Sequence, residues 1–413
     1  MAQMMLPSTI ASRIPREVTA RYNEMVATRR ELHANPELGY EEVETAKLIV
    51  QKLQAMKGLE IFKGVGQTGV VALMRGKRDH PCILLRADMD CLGIDEDPSK
   101  YSFVSRKPGR MHACGHDGHV AMLLAAAEIL TEKFGDRSLN GSIKFMFQPA
   151  EEGGAGAKAM IDDGLFGLGG IEVDEVYGLH LGSNFALGDV LIGIGPVMAG
   201  SDAVDLTVQG VGGHGAYPHL TKDAVLVQAA IVQSLHTIVS RNVAPDQLGV
   251  LTIGHVSAGS VRNAVASKAT LLATVRTVDA KVQSIMKKRI TEVAEGVAHA
   301  HGCKCQVDYT VQYPATINVG EGPYKLVQDA AAKIVGKEHI RLVKTPQMGS
   351  EDFSFLLLEK PGNFFFVGAA PTADLGSHPH HSPLFDFNEQ AMLIGSSIFV
   401  ELIEQRMNLP MKL

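Results

Sequence analysis

The 413-residue chain is 46% hydrophobic and 20% charged, a globular composition, and its length exceeds one ordinary core, which predicts more than one domain. A net charge of −6 with no block of lysine and arginine argues against nucleic acid or an anionic membrane as the main partner and favours a small molecule or peptide. No secretory signal and no run of 18 apolar residues is apparent, and the five cysteines (Cys82, Cys91, Cys114, Cys303, Cys305) are odd in number and scattered; a cytoplasmic protein with buried thiols is expected.

Helical spacing runs from Glu17 to His33 and is broken by Asn35-Pro36-Glu37-Leu38-Gly39, after which a second helix is predicted over Glu41 to Met56. Gly64-Val65-Gly66-Gln67-Thr68-Gly69 has the letters of a dinucleotide fingerprint. The strand-like Val70 to Met74 follows where that fingerprint needs a helix, so these residues read as a turn. Cys82 to Leu85 is a short strand ending in Arg86-Ala87-Asp88-Met89-Asp90. Alone, Asp-x-Asp is a surface turn. With Cys-Gly-His 24 residues beyond it, Asp90 becomes a group that could hold a metal-binding histidine in one tautomer.

Met111 to His119 packs a thiol, three imidazoles and a carboxylate into nine residues, and the glycine between Cys114 and His116 lets sulfur and ring nitrogen face one point. A structural zinc site would want a second such pair nearby; here the remaining ligands must come from far along the chain. Val120 to Leu130 reads as a buried helix, with Cys114 and His116 in the loop at its N-terminus, where the helix dipole favours a thiolate. Ile143 to Phe147 is a strand running into Gln148-Pro149-Ala150-Glu151-Glu152-Gly153-Gly154. Adjacent carboxylates ordinarily face solvent, but after a buried strand and before a glycine-rich bend they can diverge, one to a metal and one to water. Glu175 to Leu179 is a further strand, delivering His180 at its end.

From Ala199 the texture changes. Strands near 204–208, 248–256, 269–277 and 304–311 and helices over 224–240 and 281–300 follow in βαββαβ order, a ferredoxin-like pattern. Residues 199–313 are expected to form an inserted domain, with 1–198 and 314–413 making the catalytic one. A helix over 324–335, another opened by 348–353, a strand over 363–367, a loop with His378, His380 and His381 and a closing helix from Asn388 complete the chain.

Cys114, His116, Glu152, His180 and one histidine of 378–381 exceed the needs of one tetrahedral ion, so two divalent ions with a shared ligand are expected. Glu151, beside a ligand but not needed as one, is the natural general base. The segments Arg86 to Asp90, Met111 to His119, Gln148 to Gly153, Gly178 to His180, Gly212 to His219, Met348 to Phe353 and His380 to Asp386 occur in an order that resembles the aminoacylase, hippurate hydrolase and plant auxin-conjugate hydrolase family of binuclear metalloamidohydrolases. The likeness runs from Arg29-Arg30-Glu31-Leu32-His33 to Glu389.

The resemblance implies an α/β fold in which a mixed-sheet, zinc-peptidase-like catalytic domain carries an inserted ferredoxin-like lid and dimerisation domain. It implies Cys114, His116, Glu152, His180 and His381 as metal ligands, Cys114 as the bridge and Glu151 as the base, and it leaves Asp88 as a contact only. It also implies that His214 faces the tetrahedral intermediate, often from the other subunit of a dimer, and that Asn263 and Arg276 bind the substrate carboxylate, a task suited to the arginine fork. The implied reaction is hydrolysis of an N-acyl amino acid, with a dipeptidase or aminopeptidase as the rival on the same scaffold and a silent binding protein as the rival of another class. Thiol ligation favours zinc, whereas this branch is associated with manganese, cobalt or nickel. The chain departs from the family at Asn263-Ala264-Val265-Ala266-Ser267 and at Ala273-Thr274-Val275-Arg276, which leaves the acyl group open.

Overall fold

A computed structural model describes residues 4–99, 103–135 and 137–408. The chain forms two compact units: Met1–Val197 with Ile317–Thr345 and Asp352–Leu413, and Met198–Thr316 with Pro346–Glu351. The second unit begins at Met198 and ends three residues later than the expected 313. It also recruits 346–351, because the Ala199 N–H donates to the Gln347 and Gly349 carbonyls.

The first unit is built on an eight-stranded mixed sheet in the order Leu59–Val65, Gly69–Met74, Ser142–Gln148, Cys82–Asp88, Glu175–Gly182, Gly362–Gly368, Val190–Ile192, Ile340–Leu342. Its four central strands, Ser142–Gln148 to Gly362–Gly368, run parallel. Three of them, Ser142–Gln148, Cys82–Asp88 and Gly362–Gly368, are buried at every residue, as expected of parallel strands covered on both faces. Gly69–Met74 is a strand, so the glycine-rich stretch before it is a turn, as its sequence context requires.

Helix His116–Phe134 covers the sheet and is buried through most of its length. It starts four residues earlier than predicted, because Gly115 takes a left-handed φ of 98° that turns the chain into the helix at His116. The first predicted helix is broken at Arg21 into Arg16–Ala20 and Tyr22–Ala34. Arg29, on the second piece, is fully buried between the Phe103 and Phe387 rings (4.8 and 4.5 Å) and 3.0 Å from Asp117. It ties the start of the His116 helix to the segment after His381.

The second unit contains a four-stranded antiparallel sheet in the order Gly249–Ala258, Lys268–Thr277, Gly200–Gln209, Lys304–Tyr313, the ferredoxin-like arrangement that the βαββαβ order predicts. Alternation along Lys268–Thr277 puts Ala269, Leu271, Ala273 and Val275 in its core and leaves Leu272 and Arg276 on the other face. The predicted helix 224–240 is two, Ala224–Leu235 and Thr237–Asn242. Together they form one segment apolar and long enough by composition to cross a membrane. Val227, Ile231, Leu235 and Ile238 belong to the core of this unit while Val225 and Leu226 are exposed, so part of that apolar character is ordinary core.

At the end of Ser142–Gln148 the chain doubles back so tightly that a Cβ on Gly156 would lie 1.7 Å from the Pro149 carbonyl oxygen. Gly156→Ala is expected to cost about 2–3 kcal/mol in urea unfolding, whereas alanine at Gly164, which has open space but a φ of 83°, is expected to cost about 1 kcal/mol.

Candidate metal centre

Five side chains expected to act together converge at the C-terminal edge of the first unit's sheet, where open α/β sheets place their ligands. Among the described residues several groups of three donors have their atoms within 4.8 Å of one another, including His116, Glu151 and Glu152, and two of the groups share the thiol: Cys114, His116 and His180, and Cys114, Glu152 and His381. Cys114 belongs to both. Its Sγ is 3.4 Å from His180 Nε2.

Each imidazole is oriented by what its other nitrogen does. His180 Nδ1 donates to the Leu181 carbonyl at 2.8 Å, leaving the Nε2 lone pair toward Cys114. His116 Nδ1 lies 3.0 Å from the Asp90 carbonyl oxygen and 3.1 Å from its carboxylate, the partner the sequence pointed to, which fixes the tautomer for metal binding. His116 Nε2 and Glu152 Oε1 are buried without a hydrogen bond, each with an ionic neighbour, Asp88 Oδ2 at 3.4 Å and His381 Nε2 at 3.3 Å. The His381 backbone has a φ of 59°, its N–H donates to the Ala113 carbonyl at 2.9 Å, and its Nε2 lies 3.3 Å from Glu152 Oε1. His380 points elsewhere: its Nε2 accepts from Ser183 N–H at 3.2 Å.

Burial works against charge on the His116 ring, but Asp88, Asp90 and Glu152 outweigh it and push its pKa up to about 10. Burial has the opposite outcome at His180, where His119 and His380 add to it and hold the ring well below the usual range. Glu152 is held low despite burial because His381 and His116 face it. Such surroundings favour a cation among the donors, and soft sulfur, imidazole and carboxylate with two orphaned buried atoms are the donor chemistry of a transition-metal pair.

His180 lies within its strand, not at its end, because pairing with Gly362–Gly368 continues to Gly182. Glu151 is buried beside Glu152, with Asp352 N–H 3.4 Å from its Oε1. Asp88 is already engaged: Arg86 Nη1 is 2.7 Å from Oδ2 and His119 Nδ1 is 2.6 Å from Oδ1. Arg86 also reaches Asp352 at 3.0 Å and Gln148 at 2.7 Å, and His119 Nε2 accepts from Leu181 N–H. The roles of Arg86, His119 and Asp352 escaped the sequence reading. A charged residue in a strand otherwise apolar enough to be buried on both faces was the available signal.

His214, Asn263 and Arg276 belong to the second unit. His214 lies on a two-residue ribbon, Gly213–His214 paired with Ala264–Val265, and Gly215 N–H donates to the Asn263 carbonyl at 2.8 Å, so His214 and Asn263 are neighbours. Ala216 N–H donates to His214 Nδ1 at 3.1 Å, which leaves the exposed Nε2 as the hydrogen-bearing nitrogen. Arg276, bonded to Thr274 Oγ1 and the Val275 carbonyl, sits near the far end of Lys268–Thr277, with burial lowering its pKa. Eight residues of strand from Lys268 to Arg276 span about 26 Å, so the structure does not bring Arg276 to His214 and Asn263.

Residues 84–405 match the model of peptidase family M20/M25/M40. The chain belongs to that family. It is 38% identical to the N-acetyl-L-cysteine deacetylase of Bacillus subtilis over 94% of this chain and 89% of that protein. With the IAA-amino acid hydrolase ILR1-like 4 of Arabidopsis thaliana it shares 37% identity over 92% and 84%. The crystal structure of Bacillus subtilis YXEP, described as a dinuclear metal-binding peptidase of the M20 family, superposes with a TM-score of 0.78 at 30% identity, over 94% of this chain and 99% of that one. The family expected from the sequence is borne out, and with it the reaction class, a metal-dependent hydrolase.

Replacing Arg86 by methionine leaves Asp88 buried and without its cation. Burial opposes charge on Asp88, but Arg86, His116 and His119 outweigh it and keep its pKa well below the ordinary value; a lowered folded pKa stabilises above the unfolded value of about 4 and loses that stabilisation as pH falls through the folded one. Arg86→Met should therefore cost about 3–5 kcal/mol at neutral pH, a cost still nearly full at pH 4 and shrinking only as pH falls below it toward the lowered folded pKa of Asp88, measured by urea titration at neutral pH, pH 4 and pH 3.

Proposed function

We propose that the protein hydrolyses the amide bond of N-acyl amino acids, releasing a carboxylate and a free amino acid. The observation that carries this reading is the pair of donor triads sharing Cys114, with the buried Glu151 beside them. Cys114, His116 and His180 would hold one divalent ion and Cys114, Glu152 and His381 the other, with the thiolate as bridge. Bound metal supplies an acidified water and polarisation of the acyl carbonyl. Glu151 takes the proton of the attacking water and passes it to the leaving amine, a task for a carboxylate next to the donors but outside both triads. His214, whose Nδ1 is occupied by Ala216 N–H, offers its Nε2–H to the developing oxyanion.

Sulfur among the donors favours zinc, with manganese, cobalt or nickel as the alternatives. The five thiols, none paired in a disulfide, fit a reducing, cytoplasmic setting. The relatives named for N-acetylcysteine and auxin conjugates support an acylated, not a free, α-amine as the substrate's mark.

The inserted unit is proposed to serve as lid and dimer interface. Arg276 and the His214–Asn263 ribbon lie too far apart to hold one small N-acyl amino acid within a chain, so a second copy would supply the ribbon. The exposed Val225 and Leu226 and the unpaired edge of Gly249–Ala258 give that copy a surface to cover.

Protein reloaded with Mn or Zn after chelation should release amino acid from a panel of N-acetyl, N-benzoyl, N-fatty-acyl and N-indole-acetyl amino acids. Glu151→Gln should lower kcat about 10³-fold or more, and Cys114→Ser should lower bound metal as read by elemental analysis. Hydrolysis of free dipeptides alone would replace this reading with a peptidase. Mixing two silent variants, His214→Ala and Glu151→Gln, should restore up to about a quarter of wild-type activity after subunit exchange if sites are shared across a two-fold dimer; a mixture that stays silent while the two copies exchange excludes sharing.

A further inference from the structure

We propose that Glu42 is a positioning residue that holds the backbone of Ala150 so that Glu151 presents its carboxylate correctly. The inference rests on Glu151 being the base of the proposed hydrolysis.

Glu42 is fully buried, and both of its oxygens are engaged. Oε1 accepts from Ala150 N–H at 2.8 Å, and Oε2 accepts from the Thr68 hydroxyl at 2.6 Å. Ala150 has φ 49° and ψ 46°, a left-handed conformation that a residue with a Cβ adopts only when its surroundings impose it. Glu151 and Glu152 follow directly. Gly153 and Ala155 are left-handed as well (φ 87° and 53°), so the segment carrying both carboxylates reverses direction repeatedly within six residues.

The turn before Glu42 grips the same segment from its other side. Tyr40, itself left-handed at φ 64°, donates its hydroxyl to the Gly154 carbonyl at 2.7 Å. A Cβ on Gly39 would lie 3.0 Å from the Ala150 Cα and Cβ, so any larger residue there would push on the Ala150 backbone. Backbone bonding joins this turn to the aspartate strand, because Cys91 N–H donates to the Glu37 carbonyl at 2.9 Å. Asp90, next to Cys91, accepts from Glu152 N–H at 2.9 Å.

A buried N–H left without an acceptor is costly, and Ala150 has no helix or strand neighbour to supply one. Glu42 is the group that makes the left-handed turn tenable. Without its reach, the turn is free to return Ala150 to ordinary backbone space and swing the Glu151 carboxylate from the donor triads. Glu42 touches no donor atom and no reacting group, so its effect runs through the backbone it holds.

Three variants separate reach from charge in the full-length, metal-loaded protein. Glu42→Gln keeps an acceptor oxygen at the same reach and can donate to the Thr68 oxygen. Glu42→Asp keeps the charge one methylene short, and Glu42→Ala removes both. On the best substrate of the N-acyl amino acid panel, the alanine and aspartate variants should lose about 100-fold in kcat with KM and metal content unchanged, and the glutamine variant should stay near wild type. Amide hydrogen exchange over 149–155, followed by mass spectrometry, should speed up about tenfold or more in Glu42→Ala and Glu42→Asp and stay unchanged in Glu42→Gln. Wild-type exchange in Glu42→Asp, or equal damage from Gln and Ala, overturns the inference. Should Glu42→Ala fail to fold, the Asp and Gln pair carries the same comparison. A fully active Glu151→Gln would instead overturn the hydrolysis reading, and the exchange measurement would still decide what Glu42 does to the turn.

Discussion

The first unit depends on one buried cation. Arg86 sits in the middle of a parallel sheet, in a strand buried on both faces, where a guanidinium, which keeps its charge, would be very costly without partners. It is matched by Asp88 and Asp352 and by the Gln148 side-chain oxygen Oε1. Asp88 pairs across the sheet with Gln148, and the Arg86 hydrogen bond to the Gln148 side chain joins the ends of the two neighbouring strands. From Asp88 the bonding continues through His119 to the Leu181 N–H, beside His180. Two aspartates, a glutamine and a histidine are thereby held before any ligand arrives, and the segments bearing Glu151, Glu152 and His180 begin from fixed points. Burying ionic groups in this way is rarely a net gain in stability, but a broken partner is expensive, and that asymmetry makes the arrangement specific.

The same accounting explains the charge state around the donors. Asp88, Asp90 and Glu152 crowd one dry place and drive the His116 pKa up to about 10, because a proton on that ring is the cheapest cation within reach. A divalent ion answers the same field more strongly. His116 can accept one because Asp90 already occupies its Nδ1, leaving Nε2 without a hydrogen bond and 3.4 Å from Asp88 Oδ2. The orphaned atoms and the upward shift are two expressions of one fact, a concentration of negative charge with its compensating donors aimed inward.

Much of this was legible in the sequence because the motifs are short, chemically unusual and attached to strands whose apolar runs announce themselves. Cys114, His116, Glu151, Glu152 and His180 could be named from composition and from their place after a strand or before a helix. The choice of His381 over its neighbours came from resemblance alone. Geometry that depends on remote partners was not legible. His180 lies inside its strand because Gly362–Gly368, some 180 residues on, extends the pairing. Arg29 meets Glu389 across 360 positions, and no local pattern marks either as a partner. Asn263 and Arg276 look alike as candidate carboxylate binders in the linear sequence, only thirteen residues apart, yet an extended strand converts that interval into most of the length of a domain.

The two units also hold their functional residues in different ways. In the first, Cys114 and His116 are buried, Glu152 and His180 half-buried and His381 exposed, and second contacts fix the segments that carry them: Asp90 on His116, Leu181 on His180, Glu42 on the turn before Glu151. Positions set by several independent bonds cannot drift singly, which suits a metal pair whose donor distances tolerate little error. In the second, His214 and Asn263 are exposed on a ribbon of two residues per strand, and the local sequence around Asn263 and Arg276 is where the chain departs from its family pattern. A weakly constrained, exposed rim can change its side chains without disturbing a sheet core, whereas a substitution at Arg86 or Asp88 breaks bonding that runs through His119 to Leu181, beside His180, and faces His116. The residues that carry the donors therefore tolerate little change, whereas the exposed ribbon of the second unit can vary at little structural cost.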